Sequence, residues 1–553
     1  MKRMFLSAVC LVCAVALGSA PALAQQKQPK TPPKSQESPV FGETIDVRVV
    51  NVEVVVTDRD GNRVTGLKPG DFRLKVDGKE VPVTYFSEIA GGQSVAAPPA
   101  GAAAEGAPAT SGVPGVEPGG AVGTSYLVFV DDYFPTEIRR NEVLKALKGD
   151  LARLGPEDRM AIVGFDGGHL TMVSNWSQSQ AELARAFDQA MARKAHGLER
   201  AVELNRFSSD QGFASGTAGD NAPLDLNTRM ENSGLNMAER AYGLTLFRQE
   251  EAAVNAAART LRTFAAPPGR KIMLLLDGGW PYSIQTFIRG EAPLSSSREF
   301  KDGENLLKNL TNTANLLGYT IYPVDVPGIA AAGGTESIRD QEIKGTLEFV
   351  ANQTGGKPLR SSNRTVALAE AAADTRSYYW LGFSPTWEHN DASHKVDVSL
   401  NRPGLKVRSR TSFLDLSKKT EVSMMVESAL LFGNLPGGPV LPMRIGTPVK
   451  VRGGTEIPIT LGLPADVVTL VQVDNKYAAH AELRFAATDD TGNGSEIPVV
   501  PLNISSDHPP KPGGFIKYET KLTLKGKANR LVATVYDPVS GKLATAETSL
   551  ALP

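Results

Sequence analysis

Apolar and polar positions change rhythm several times along this chain. Ile45, Val47 and Val49 alternate with polar neighbours, and then Val50, Val52, Val54 and Val56 alternate in the opposite phase. That slip of one residue predicts a β-bulge or a long bent strand. Phe72, Leu74 and Val76 repeat the period of two, and Asp77-Gly78 predicts a tight hairpin turn into Val81, Val83 and Tyr85. Gly91 to Gly123 is nearly all Gly, Ala, Pro and Ser and cannot bury a core, so it reads as a linker.

Beyond the linker, short apolar runs alternate with helical patterns. Tyr126 to Val130 stops on Asp131-Asp132, and Lys271 to Leu276 stops on Asp277-Gly278-Gly279. Such runs, closed by an acid and a turn residue, predict buried parallel strands. Arg159–Phe165, Tyr319–Asp325 and Tyr378–Phe383 read as further strands of the same unit. Helices are predicted over about 137–154, 179–193, 238–264 and 299–317, and the polar, Gly- and Asn-rich stretch 196–233 as an insertion. Strands separated by helices of this length imply a mostly parallel sheet covered on both faces.

From His394 the pattern returns to alternation, with a short amphipathic helix near 419–432 and short, evenly spaced strands over 436–553 that predict a β-sandwich. The expected fold class is thus α/β and all-β multidomain: a doubly wound α/β unit over 124–385 with flanking β-sandwich segments. Segments 41–90 and 386–415 are each small for an independent unit. They are expected to pair as one sandwich into which the α/β unit is inserted, with 416–435 as helix and linker.

Bulk properties narrow the function. A length of 553 residues suits roughly three to four domains. The formal charge of −1 gives no reason to expect a nucleic-acid partner. Lys2 and Arg3, the apolar run Phe5–Leu17 and Ala22-Leu23-Ala24 form an export signal over 1–24, followed by a Lys/Pro/Ser/Gln-rich spacer over 25–40. Periplasmic or extracellular placement follows as an expectation. Both cysteines, Cys10 and Cys13, lie inside that signal, so a processed chain would carry no thiol. No later run of about 20 apolar residues predicts a transmembrane anchor. The six histidines are scattered without metal-ligand spacing, and no P-loop, Rossmann or Gly-x-Ser-x-Gly fingerprint is present.

The strand-end acids of 124–384 give that unit a resemblance to the von Willebrand factor A domain. The whole chain resembles the VWFA-related secreted proteins of acidobacteria. Val54–Gly61 with Leu67 and Asp71-Phe72, then Ser377–Pro385, then Val407–Arg410 carry this wider resemblance. It implies a divalent-cation adhesion site: a D-x-S-x-S turn after the first strand, a Thr from a middle loop and an Asp after the fourth strand. Magnesium needs near-octahedral oxygen ligands and keeps several waters. In this chain Asp131 and Asp277 fit the acids. Counting from Asp131 puts Tyr133 and Pro135 in the serine positions, whereas counting from Asp132 puts Phe134 and Thr136 there. Thr245 is the candidate middle-loop hydroxyl.

The expected metal set is therefore Asp131, Asp132, Thr136, Thr245 and Asp277, degenerate and weak for Mg²⁺ or another divalent cation. The bland reading is that these acids cap strand ends and helix N-termini. Tyr133, Phe134, Trp280 and Tyr282 form an expected aromatic rim for a protein or cell-envelope partner, or else they close the crevice against the insertion. The function expected is an exported, non-enzymatic, adhesion-type binding protein. A structural envelope scaffold is the alternative, and a metal-assisted hydrolase a third reading without a placed base or nucleophile.

Overall fold

A computed structural model describes residues 49–95, 120–215, 235–264, 269–290, 303–328, 338–433, 439–473, 476–489, 497–508, 511, 513–524 and 528–550. The export signal, the spacer, most of the linker and the second half of the 196–233 insertion lie outside the described residues.

Before the α/β unit come β1 (Val50–Thr57), β2 (Phe72–Val76), β3 (Lys79–Val81), β4 (Tyr85–Ala90) and β5 (Gln93–Ser94). The β2–β3 turn has φ of 49° at Asp77 and 80° at Gly78, the left-handed pair that the Asp-Gly sequence predicts. The two ends of the linker stretch meet, Ser94 N–H donating to the Gly120 carbonyl and Val122 N–H to that of Gly92. The excursion therefore leaves and re-enters at one point.

The α/β unit runs β6 (Thr124–Asp131), α1 (Glu137–Gly149), β7 (Arg159–Phe165), β8 (Leu170–Ser177), α2 (Gln180–Ala192), α3 (Gly197–Ser215), α4 (Met237–Thr263), β9 (Arg270–Asp277), α5 (Ile284–Arg289), α6 (Gly303–Leu317), β10 (Tyr319–Asp325), α7 (Ile338–Thr354) and α8 (Ala367–Arg376). Its sheet has the order β10-β9-β6-β7-β8, parallel except for β8. Period-two alternation sends Leu127, Phe129, Met273 and Leu275 to one helical layer. Tyr126, Val128, Ile272 and Leu274 go to the other. The result is a mixed α/β fold, a largely parallel sheet flanked by helices, accompanied by several antiparallel sheets.

One expected strand moves. Tyr378–Phe383 does not close the α/β sheet. As β11 (Ser377–Phe383) it runs antiparallel between β1 and β4. Tyr379, Leu381 and Phe383 face the sandwich core, while Tyr378 and Trp380 pack with Val55 and Ile89 on the opposite face. Burial on both faces gives an unbroken apolar run, the same signature as a parallel strand. After it come β12 (Ser393–Leu400), β13 (Lys406–Arg408) and β14 (Ser412–Leu414). Sheets β13-β1-β11-β4-β5 and β14-β12-β2-β3 share one core, so chain from both sides of the α/β unit builds this sandwich.

Ionic contacts tie the two units. Buried Asp374 at the end of α8 accepts from Arg408 of β13 at 2.6 Å and from Tyr322 Oη of β10 at 3.0 Å, and it also pairs with Arg63. Arg270 lies 3.4 Å from Glu53 and 4.1 Å over the Tyr378 ring. Next, α9 (Lys418–Phe432) starts at Ser417, whose hydroxyl accepts from Thr420 N–H. Its Glu427 pairs with Arg259 and Arg262 of α4, while Val426, Ala429 and Leu430 pack on Ala486 and Val532. Those last two belong to the C-terminal strands β15 to β23 (Met443 to Ser549), two antiparallel sheets around one core. No helix among the described residues is long and apolar enough to cross a membrane.

Candidate functional site

The same alternation that sorts the core sorts the strand-end acids. Asp131 and Asp277 share the phase of Phe129 and Leu275, so both project into the layer of α4, while Asp132 projects into the layer of α1 and α2. The expected five-residue metal set is split at this step.

Asp132 is fully buried between two guanidinium groups. Arg140 Nη1 donates to its Oδ1 at 2.6 Å and Arg193 Nε to its Oδ2 at 2.6 Å. Arg140 is itself buried and also donates to the Arg193 carbonyl. This triad fastens α1 to the end of α2, and it uses both oxygens of Asp132. Thr136 precedes α1 and donates to the Pro327 carbonyl at 3.3 Å. Thr245 lies on the exposed face of α4 and donates to the Ala241 carbonyl one turn back, away from the acids. Asp132, Thr136 and Thr245 are therefore not joined with Asp131 and Asp277 in one ligand set. Thr245 is a helix residue rather than a loop residue because the α4 pattern begins earlier, at a capping box on Asn236 and Glu239.

Asp131 is held by Tyr133, which stands in one of the expected serine positions, and by Trp280. Its Oδ1 accepts the Tyr133 backbone N–H at 2.8 Å and its Oδ2 the Trp280 indole N–H at 3.0 Å. Asp277 Oδ1 accepts Gly279 N–H at 3.0 Å, and its Oδ2 has no hydrogen-bond partner. Facing it is a residue that sequence reasoning missed, Glu250 of α4. Glu250 is fully buried and neither carboxyl oxygen has a hydrogen-bond partner. It sits in the stripe Leu246, Glu250, Ala253, Ala257, Leu261, the apolar face of the helix. A carboxylate at a core position of that stripe is the signal that could have found it.

Three buried acids thus share one layer. Burial pushes the Asp131 carboxyl up to about 7, against the pull of its two N–H donors and with a small push from Asp132. Burial and the neighbouring Asp131 raise Asp277 well above the carboxylate range, and burial and Asp277 raise Glu250 likewise. Burial and mutual repulsion thus both favour the protonated forms of these acids.

The aromatics close the crevice. Phe134 and Trp280 are fully buried, so neither forms an exposed docking rim. Tyr133 and Tyr282 are half-buried: Arg200 of α3 stacks 4.7 Å over Tyr133, and Tyr282 packs on Phe349. The physical reason is the cover supplied by α3. Gly197 lies against the Phe134-Pro135 backbone, and Leu204 and Phe207 join the core. The stretch expected to be a polar insertion therefore begins with a packed helix. Gly278 and Gly279 are equally confined, because a Cβ would strike the Val326 carbonyl or the Phe134 ring respectively.

The residues present do not fit a resident divalent ion. Both Asp131 oxygens are taken by N–H donors, the serine positions hold Tyr133 and Pro135, and the threonines face elsewhere. Among the described residues, no group of three His, Cys, Asp or Glu side chains is placed to hold a metal.

No family model matches the chain, and no curated protein matches it. Among similar solved structures is the N-terminal domain of TFIIH p34, at 15% identity over 44% of this chain and 94% of that one, TM-score 0.19. The pilus adhesin SpaC of Lactobacillus rhamnosus GG is similar at 7% identity over 74% of this chain and 57% of its own, TM-score 0.26. A β-glucosidase of Kluyveromyces marxianus in complex with glucose is similar at 8% identity over 54% and 33%, TM-score 0.13.

Proposed function

We propose that this chain is an exported, non-enzymatic binding protein or scaffold for a protein or cell-envelope component, with the α/β unit serving as a rigid hub. One observation carries the reading. Asp131, the residue best placed to start an ion-dependent adhesion site, spends both oxygens on Tyr133 and Trp280 inside a closed crevice. A hub of this kind needs rigid joints, and the Asp374 and Glu427 ion pairs supply them on two sides. Export is inferred from the basic, apolar and A-x-A pattern over 1–24. The non-enzymatic assignment is supported by the burial of all three crevice acids, which keeps these groups from meeting a substrate as exposed bases. The scaffold role is favoured over docking through the crevice rim, because Phe134 and Trp280 offer no surface.

The test is calorimetric titration of Mg²⁺, Mn²⁺ and Ca²⁺ into EDTA-stripped protein, with Asp277→Ala as control. No saturable heat at metal concentrations of about 5 mM is the expected result. Millimolar or tighter binding that disappears in Asp277→Ala would restore an ion-dependent docking head and remove the present reading.

A further inference from the structure

The C-terminal sandwich exposes a long strand edge. In one of its sheets β17 (Gly454–Pro464) lies between β15 (Met443–Ile445) and β21 (Phe515–Leu524). Gly446 N–H donates to the Pro458 carbonyl, and Gly462 N–H donates to the Pro442 carbonyl. The even-numbered residues of β17 thus turn their backbone groups to the β15 side, and by alternation the odd-numbered ones face β21. Their partners in the register include Thr520 for Ile459 and Tyr518 for Leu461. The even-numbered residues of β21 are therefore spent on β17, while Phe515, Lys517, Glu519, Lys521 and Thr523 turn N–H and C=O groups away from it. Among the described residues, no other strand pairs with β21.

The side chains of β21 sort by the same alternation. Leu522 and Leu524 belong to the sandwich core, and Ile516 and Tyr518 pack against it. Lys517, Glu519 and Lys521 stand on the outer face, with side chains 71%, 63% and 63% exposed. Phe515 shares that face and is 61% exposed. Within the chain Lys517 pairs with Glu519 at 2.6 Å, and Lys521 pairs with Glu456 of β17 at 2.9 Å. Exposed pairs of this kind contribute little, so a new partner can replace them. Lysines on a strand edge ordinarily discourage pairing. Here a glutamate stands between two of them, which makes the strand complementary to itself when read backwards.

We infer that β21 is a self-association edge, to which a second copy of this chain adds its own β21 antiparallel about a two-fold axis at Tyr518. That register sets Lys517 opposite Glu519 twice and Phe515 opposite Lys521 twice. The outward groups of residues 515–521 then exchange about eight backbone hydrogen bonds. Opposite charges on facing residues favour the pairing, and the lysine stem and its cation cover the exposed Phe515 ring. An axis at Glu519 would set that residue against itself and Lys517 against Lys521, and like charges oppose it. The occupant is a second copy because the strand carries its own matching charges at matching spacing. The contact uses no residue of the α/β crevice, so it stands or falls separately from the scaffold reading.

The experiment is sedimentation equilibrium of the full chain, alone and as two charge variants. The native protein is expected to dimerise with a Kd of about 1–100 μM, as suits a small, polar contact. Glu519→Lys sets lysine against lysine, and Lys517→Glu sets glutamate against glutamate. Each alone should weaken the dimer about tenfold or more, with the thermal melt in place because both positions are exposed. Mixing the two variants in equal amounts pairs Lys with Glu at every charged position of the contact and should restore association to within about threefold of the native value. A native chain that stays monomeric up to about 500 μM overturns the inference. So does a dimer that neither variant weakens, or a mixture that associates no better than its components.

Discussion

Replacing Glu250 by Gln tests the physics of the crevice directly. Glu250 is fully buried, neither oxygen is hydrogen-bonded, and burial and Asp277 together raise its affinity for a proton well above that of an ordinary glutamate. In the unfolded chain the same group ionises near its ordinary value of 4.5. Above that pH the folded state holds a proton that the unfolded state has released. Stability must therefore fall as pH rises, and it is recovered as pH drops back through the unfolded value. Each proton held differentially is worth about 1.4 kcal/mol per pH unit.

Over the pH range above 4.5 in which the fold keeps this proton, Glu250 should therefore lower the stability of the native protein as pH rises, by at most about 1.4 kcal/mol per pH unit. Glu250→Gln has nearly the same shape but nothing to ionise, so this slope should vanish from the variant. Asp131, raised from 3.8 to about 7, contributes a slope of the same sign in both proteins and cancels from the comparison. The assay is urea denaturation at a series of pH values, followed by the fluorescence of Trp280 and Trp176, both of which pack in this layer. Variant and native curves should diverge steadily as pH rises, with the variant more stable. Parallel curves would mean that Glu250 is ionised in the folded state and matched by something else, and the reading of a protonated Glu250 would be wrong.

Other substitutions probe the same architecture. Asp132→Ala strands the buried Arg140 and should cost about 3–5 kcal/mol in a thermal melt, whereas a replaceable metal ligand would cost little in metal-free buffer. Trp280→Ala opens a cavity and frees Asp131 Oδ2, and a loss of about 3–5 kcal/mol is expected; a near-neutral result would contradict its role as a plug. Gly279→Ala drives a Cβ into Phe134 and should cost about 1–3 kcal/mol, read from the same melts. Glu427→Ala leaves Arg259 and Arg262 without their shared carboxylate, with an expected loss of about 1.5–3 kcal/mol if α9 is a rigid joint.

Much of the fold is written in local periodicity. Tyr126 to Asp131 and Lys271 to Asp277 announce parallel strands because apolar residues fill both phases, and both are found in the α/β sheet. Tyr378 to Phe383 fills both phases as well, yet belongs to the sandwich. Periodicity reports burial on two faces and is silent about which sheet supplies the neighbours. The first half of the insertion was obscured for a different reason. Polar residues outnumber the two anchors Leu204 and Phe207, so a helix touching the core along a narrow line resembles a loop.

The site was legible in outline and misread in detail, and the reason is stereochemical. Asp131 and Asp132 are adjacent, so on a strand they must point to opposite layers, and no metal set can take both from the strand itself. That constraint was available from the period alone. What the sequence could not reveal is the distance between α4 and the strand ends, which places Glu250 against Asp277. Both then face a layer closed by Trp280, Phe134 and α3, in which Tyr133 and Trp280 hold Asp131. Burial and mutual repulsion both raise the proton affinity of these acids, so the layer carries a stability cost that grows with pH.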